Sequence, residues 1–397
     1  SRWVSDPEVL IVGAGPSGAD LARRLASSGV DVLLIDRLAD LRQAAFSSAA
    51  LPWRAVEQHG LPESVIAARW RGWLLLGPGE QRRHWQAPHT LGAVLDFAEL
   101  RLWLVERATT AGARVRLGWR AEAWQPTGGG AQVQLRGPDG QRQQLRPRWV
   151  VDATGQQRAL LGDPAPDRHP LVSGVGVEWL LQLDLPHWRC WAEQLSFMLG
   201  SDWVPQGYGW VFPMGPGVLK LGICRLLDAG HPQPPLQGLL HQLQGRLGLN
   251  DATVLDRHGG LVRSSIRRRE PHQRGPVLGL GDAVSTANLL GGEGIRHALS
   301  SSAVLAPLLL RALAGEEGCL RHYPRRLRRR LGWRWSLSGR LAQRTWLGLR
   351  TAAADQRLGR LLGGLERCSA EDLSELLFDY RFERYGLRAL PYALGWP

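Results

Sequence analysis

Between Val9 and Asp36 the chain runs apolar, then glycine-rich, then helical, then apolar again, and closes on an acid. Val9-Leu10-Ile11-Val12 reads as a buried strand, and Gly13-Ala14-Gly15-Pro16-Ser17-Gly18 as a tight turn into a helix through Ala26. Val32-Leu33-Leu34-Ile35 reads as a second strand, ending at Asp36. That order fits one compact βαβ unit, the context in which G-x-G-x-x-G carries information. Gly13 permits the turn off the strand, Gly15 leaves room for a pyrophosphate beside the backbone, and Gly18 lets the helix pack closely on the sheet. The helix N-terminus offers unpaired N–H groups and a positive dipole end to that negative charge. Asp36, eighteen residues after Gly18, sits where a carboxylate accepts hydrogen bonds from adenosine ribose hydroxyls, which argues against a 2′-phosphate there.

The 397 residues allow two or three domains, and 44% hydrophobic with 21% charged residues is a globular composition. The net charge of +13 rests on arginine, since Lys220 is the only lysine; it favours anionic partners. Cys190, Cys224, Cys319 and Cys368 form no C-x-x-C pair, so no zinc site or disulfide framework is indicated, and a reducing cytoplasm fits. Arg2, Asp6 and Glu8 flank the first strand in place of a signal peptide. The longest apolar run, Ala303 to Leu310, carries Pro307 and ends at Arg311, far short of the ~20 residues of a spanning helix. The expected location is cytoplasmic, with room for a peripheral membrane contact.

Further along, Leu100, Leu102, Trp103, Val105 and Ala108 predict a helix from Phe97 to Ala111, with a strand starting at Val115. Two alternating segments, Gln132 to Arg136 and Gln143 to Arg148, flank Gly137-Pro138-Asp139-Gly140 as a hairpin. Trp149-Val150-Val151-Asp152 runs into Ala153-Thr154-Gly155, a small-residue turn that lets backbone approach a ligand. From about Leu171 to Arg269 aromatics and alternation predict antiparallel strands that line an apolar pocket. Pro276 to Ala283 is a strand ending in Gly281-Asp282-Ala283, and Gly291-Gly292-Glu293-Gly294-Ile295 opens a helix from Arg296 to Leu313. Arg321 to Arg350 holds ten arginines and no acid, interleaved with leucine and tryptophan; this predicts either a solvated helix or an amphipathic one lying on an anionic membrane.

The order and spacing of these elements resembles the FAD-containing oxidoreductases of the aromatic-hydroxylase, glutathione-reductase-like fold. Tyr208-Gly209-Trp210-Val211-Phe212-Pro213 is similar to the Y-x-W-x-F-P stretch of the geranylgeranyl reductase family, flavoproteins that saturate isoprenoid double bonds. The resemblance implies FAD held by Gly13, Gly15 and Gly18 at the pyrophosphate and by Asp36 at the ribose. It implies Gly155, Gly281 and Asp282 along the cofactor, Gly291, Gly292 and Gly294 beside the isoalloxazine, and Tyr208, Trp210 and Phe212 facing substrate. Departures are Met214 where the family has lysine, Asp96-Phe97 where it has Asp-Arg, and no cysteine-glycine stretch after the first βαβ unit. Thr154-Gly155 stands where aromatic monooxygenases usually carry Asp-Gly, and Lys220 lies in the wrong segment for a halogenase lysine.

The expected architecture is α/β: a Rossmann-like FAD-binding domain over 6–165 with 271–320, an antiparallel-sheet substrate domain over 166–270, and a basic helical region over 321–397. The expected function is FAD-dependent reduction of an isoprenoid lipid or pigment, with NADPH or another reductant as electron donor. The alternatives are a flavin-dependent monooxygenase or a non-redox carotenoid cyclase on a large apolar substrate, and a membrane-surface binding protein. No catalytic residue is fixed; Tyr208 and Glu293 are the candidate proton donors. No metal and no nucleic acid is expected.

Overall fold

In the computed structural model, which describes residues 5–45 and 47–382, four sheets and a set of helices make up the chain. Residues 383–397, the last part of the expected basic helical region, lie outside the described residues.

The opening unit forms as its sequence dictates. Val9–Val12 pairs in parallel with Val32–Asp36 on one side and Trp149–Asp152 on the other, and Val277–Gly279 and Arg114–Leu117 extend the sheet outward. The inner strands are buried on both faces, which is why they read as unbroken Val, Leu and Ile runs. Helix Pro16–Ser27 begins with proline in its first turn and packs Leu21, Ala22 and Leu25 inward. Helix Phe97–Thr110 starts where Asp96 accepts a hydrogen bond from the Glu99 amide at 3.1 Å, so the acid before Phe97 is an N-cap. The predicted hairpin forms between Gly130–Arg136 and Arg142–Leu145, and Arg120–Thr127 completes a three-stranded antiparallel sheet.

A seven-stranded sheet dominates the middle of the chain, in the order Thr253–Ser265, Leu171–Gln182, Val218–Leu226, Gly207–Pro213, Gln194–Leu199, Gly72–Leu76, Arg82–Gln86. Its last two strands fall within the span expected for the FAD-binding domain, yet they pair here, Gly72–Leu76 running parallel to Gln194–Leu199. The antiparallel reading of 171–269 therefore omits two strands and one parallel pairing. The run Gly72-Trp73-Leu74-Leu75-Leu76 is buried on both faces and carries no alternation to announce its partner.

Period two sorts this sheet into two faces. Leu74, Met198, Val211, Leu221 and Ile223 pack beneath Leu240 and Leu243 of helix Leu236–Arg246. Trp73, Leu75, Phe197, Tyr208, Trp210 and Phe212 point the other way, toward three C-terminal helices, Tyr323–Gly348, Ala352–Gly364 and Ala370–Asp379. Each large side chain buried there contributes roughly 1.5–3 kcal/mol. The basic segment is not one straight helix, because Gly332 leaves helical geometry at φ 87° and ψ 164°. Among the described residues no helix is long and apolar enough to cross a membrane.

Candidate cofactor cleft and apolar cavity

The carboxyl ends of the parallel strands bring the predicted turns together, as expected for a ligand crevice in an open α/β sheet. Gly13 donates its amide to Ile35 at 2.8 Å, Ala153 to Val12 at 2.9 Å, and Leu280 to Asp152 at 2.9 Å, so the turns after four strands are laced side by side. Gly13 has φ +111°, and a Cβ there would stand 2.1 Å from the Ala153 carbonyl oxygen. At Gly15, by contrast, nothing lies within 4 Å of a Cβ position. Open space thus faces a helix N-terminus that has no side-chain cap and no acid in its first turn. These features fit the diphosphate of FAD.

Asp36 is fixed at the edge of this space. Its Oδ2 accepts from the Ala14 amide at 2.8 Å and its Oδ1 from the Leu38 amide at 2.8 Å, which leaves further lone pairs on each oxygen for ribose hydroxyls. Asp282 sits after the last parallel strand, accepting from the Thr286 hydroxyl at 3.1 Å; burial pushes its carboxyl above the usual range. Two residues to which the sequence assigns no role hold these turns. Asp152, fully buried, accepts from the Thr154 amide and hydroxyl and from the amides of Leu160 and Leu161. Arg158, also buried, donates to the Ala283 carbonyl and to the Ser285 hydroxyl, tying the turn at Gly155 to the turn at Asp282. The only signal for either was its place beside a small-residue turn.

Gly291 to Gly294 crosses from this edge to a second space, an apolar cavity of about 240 Å³. Trp73, Phe197 and Tyr208 form its floor, Leu290, Gly291 and Glu293 one end, and Leu337, Leu341 and Trp346 of the basic helix a wall. The contact is close: a Cβ on Gly292 would stand 3.1 Å from the Tyr208 hydroxyl. Of the three aromatics expected to face substrate, only Tyr208 lines this cavity. Trp210 and Phe212 share its face of the sheet but lie outside the lining. The Trp210 indole donates to Glu178 at 2.8 Å and lies against Gly222, directly opposite in register. Phe212 packs edge-on against Phe197.

Apart from Trp333, the large apolar side chains of the basic helix are turned toward the protein. Leu327, Trp335, Ala342 and Trp346 are buried, whereas Arg325, Arg326, Arg328, Arg329 and Arg330 are exposed and Trp333 is 64% exposed. Lys220 is buried too, and its ammonium donates to the carbonyls of Ser47 and Ser48 at 3.0 and 3.1 Å.

At the end of the cavity Glu293 makes a two-point ion pair with Arg296, and its Oε2 accepts from the Tyr380 hydroxyl at 3.4 Å. His297, whose Nε2 lies 3.2 Å from that hydroxyl, is held well below its ordinary pKa by burial and by the charges of Arg296 and Arg268, so it stays neutral. Burial raises Tyr208 well above the ordinary phenol range, so its proton is retained at neutral pH.

Residues 6–162 match the FAD binding domain family. A digeranylgeranylglycerophospholipid reductase of Haloferax volcanii is 26% identical over 327 residues, covering 78% of this chain and 77% of that protein. A menaquinone reductase of Mycobacterium tuberculosis is 29% identical over 353 residues, covering 84% and 83%. In structure, a geranylgeranyl bacteriochlorophyll reductase-like protein of Thermoplasma acidophilum superposes with a TM-score of 0.83 at 22% identity, over 97% of this chain and 98% of its own. Cleft geometry, domain match and relatives aligned over most of the chain agree: the chain is an FAD-dependent oxidoreductase, similar to reductases of geranylgeranyl-type lipids.

Proposed function

We propose that this oxidoreductase saturates carbon–carbon double bonds of an isoprenoid lipid or pigment side chain, bound in the cavity beneath the C-terminal helices. The observation that carries the reading is the cavity itself, almost wholly apolar and meeting the Gly291–Gly294 loop at the Tyr208 hydroxyl. At about 240 Å³ it is smaller than the ~300–1,000 Å³ of sites that enclose a drug-sized ligand, so it holds a segment of a long chain. The named relatives act on lipids and quinones of that chemistry.

Bound FAD, once reduced by NADPH or another carrier, supplies the hydride. The chain's own residues do the rest. Gly13, Gly15 and Gly18 seat the diphosphate, Asp36 the ribose, and Gly155, Gly281 and Asp282 the stretch that follows. Gly291, Gly292 and Gly294 let backbone run beside the flavin ring. Trp73, Phe197 and Tyr208 orient the alkene and exclude water, and the Tyr208 hydroxyl and the Glu293–Tyr380 pair are the polar groups placed to hold a proton at that end.

The regions divide the work in part: 6–165 with 271–320 hold the cofactor but also lend Gly72–Leu76, Arg82–Gln86 and the Leu290–Glu293 turn to the substrate side, 166–270 supplies the rest of the substrate sheet, and 321–397 closes the cavity. We place the enzyme at an anionic membrane surface, reached by the exposed arginines 325, 326 and 328–330 and by Trp333, since the other apolar side chains of that helix face inward.

The deciding experiment incubates the FAD-loaded, chemically reduced protein with geranylgeranyl-bearing lipids without oxygen. Mass gains in steps of two hydrogens are expected. Oxygen incorporation confined to aerated samples would replace the reading with a monooxygenase, and altered retention at constant mass with a cyclase.

A further inference from the structure

Arg101 is a buried cation without adequate partners. It lies on helix Phe97–Thr110 among Leu100, Leu104 and Ala108 and is 6% exposed. Its Nε has no hydrogen-bond partner among the described residues. Among the described residues its Nη1 reaches the carbonyls of Gln43 and Ala44, at 3.4 and 3.5 Å, beyond the ~2.7–3.2 Å of ordinary N–H···O bonds. A guanidinium taken out of water and left this way is destabilising unless something else satisfies it.

The surroundings indicate what would satisfy it. The guanidinium folds back over the ring of Phe97, one turn earlier, with its carbon 5.7 Å from the ring centroid. Gln43 and Ala44, whose carbonyls it faces, belong to the loop that follows strand Val32–Asp36, so the guanidinium lies on the strand-end side of the sheet, where the Asp36 charge acts on it. Asp36 forms no bond with it; both carboxylate oxygens accept backbone amides, one of them from Ala14 in the glycine turn. Burial drives the arginine's pKa down, with Asp36 opposing. The cofactor-facing helix supplies no cation of its own: Arg23 and Arg24 both pair with Asp20, at 2.9 and 2.8 Å. A helix N-terminus presents only about half a positive charge, against two negative charges on a diphosphate. An arginine fork is matched to phosphate oxygens.

We propose that Arg101 is a phosphate-binding residue of the cofactor cleft and takes the diphosphate of FAD. Its two long carbonyl contacts then mark the resting direction of a side chain whose remaining donors are filled by the ligand. Residues 97 and 101 lie one turn apart on the same helix face. An arginine placed at 97 would project from that same face, one turn nearer the start of the helix.

The test titrates FAD, and separately ADP, into the full-length chain stripped of flavin, reading flavin and tryptophan fluorescence. Arg101→Gln is expected to weaken FAD and ADP alike by about 10- to 100-fold, the range for loss of charge-assisted hydrogen bonds. The variant's affinity is also expected to depend less on salt. Arg101→Lys is expected to fall between wild type and glutamine; it carries the test if Arg101→Gln does not fold. Phe97→Arg combined with Arg101→Gln is expected to recover most of the affinity, which a structural clamp on Gln43 and Ala44 would not do.

The proposal is overturned if both ligands bind Arg101→Gln within about twofold of wild type while the flavin-free chain melts earlier, since arginine then only braces the loop. It is equally overturned if FAD weakens and ADP does not, since the contact then belongs to the flavin half. Wild-type titration with FAD checks the cofactor assignment itself, so the two failures are told apart.

Discussion

Glu178 offers a measurement in which sign and size both follow from the structure. It has no exposed surface, and it accepts from the Trp210 indole at 2.8 Å and pairs with His258 Nε2 at 2.9 Å. On the same face of the sheet Lys220 is buried with Glu178 as its leading counter-charge. Burial lowers the His258 pKa, but hydrogen bonds to Glu178 and Asp256 outweigh it and raise the group above its ordinary value. A histidine raised on folding contributes stability that is complete below its unfolded pKa of ~6.5 and is lost as pH climbs through the folded value.

Glu178→Gln keeps the shape and an acceptor for Trp210 but removes the charge. The stability difference from wild type is expected to be about 1.5–3 kcal/mol at pH 5.5, where the bond to a protonated imidazole is lost, and smaller at pH 9, where the imidazole is neutral and only its N–H contact with the carboxylate is lost. Denaturant unfolding of the FAD-bound protein at both pH values measures it, with the difference between proteins cancelling the titration of groups remote from Glu178. A difference that is flat with pH, or that grows toward pH 9, refutes the assignment of the raised histidine to Glu178.

Gly13→Ala places a methyl 2.1 Å from the Ala153 carbonyl at positive φ, so the purified protein is expected to carry little flavin, read from its visible absorbance. Gly222→Val drives a side chain into the Trp210 ring, which already stands 2.2 Å from a Cβ at that position; a loss of about 1–3 kcal/mol in unfolding free energy is expected. Leu337→Phe fills part of the cavity wall and is expected to raise KM for long isoprenoids while leaving FAD affinity within twofold, measured by fluorescence titration. Burial lifts the Cys224 thiol to about 12, so alkylation of the native protein at pH 8 followed by peptide mass analysis is expected to label exposed Cys190 and spare Cys224.

The cofactor half was legible because its signals are local. Gly13, Gly15, Gly18 and Asp36 are set by one βαβ unit, and the turns at Gly155 and Gly281 follow strands whose apolar runs are equally plain. The substrate half depends on pairings between distant segments. Nothing in Gly72–Leu76 says that it will lie beside Gln194–Leu199, because hydrogen bonding between strands leaves no mark on either sequence when both faces are buried. The motif suggests substrate-facing aromatics at Tyr208, Trp210 and Phe212, but only Tyr208 lines the cavity, and part of the reason is Gly222, whose missing side chain leaves room for the Trp210 ring. Ten arginines between 321 and 350 drew attention to charge, while Leu337, Leu341 and Thr345, four residues apart, were the ones turned toward the cavity. Asp152 was read only as the end of a strand before a small-residue turn and Arg158 not at all; they matter through carbonyls and amides that only the folded backbone assembles.

The crossing of Gly72–Leu76 and Arg82–Gln86 into the seven-stranded sheet also bears on how the chain can be cut. A piece spanning 166–270 would look like a self-contained unit, yet it would lack its two outermost strands and leave Gln194–Leu199 as a bare edge with Phe197 and Met198 beside it. Such a fragment is an aggregation hazard. The parallel sheet fares no better, since Val277–Gly279 joins it only after the other sheet has been traversed. Grafting or library construction on this scaffold therefore has to move the cofactor layer and the substrate layer as one inseparable piece.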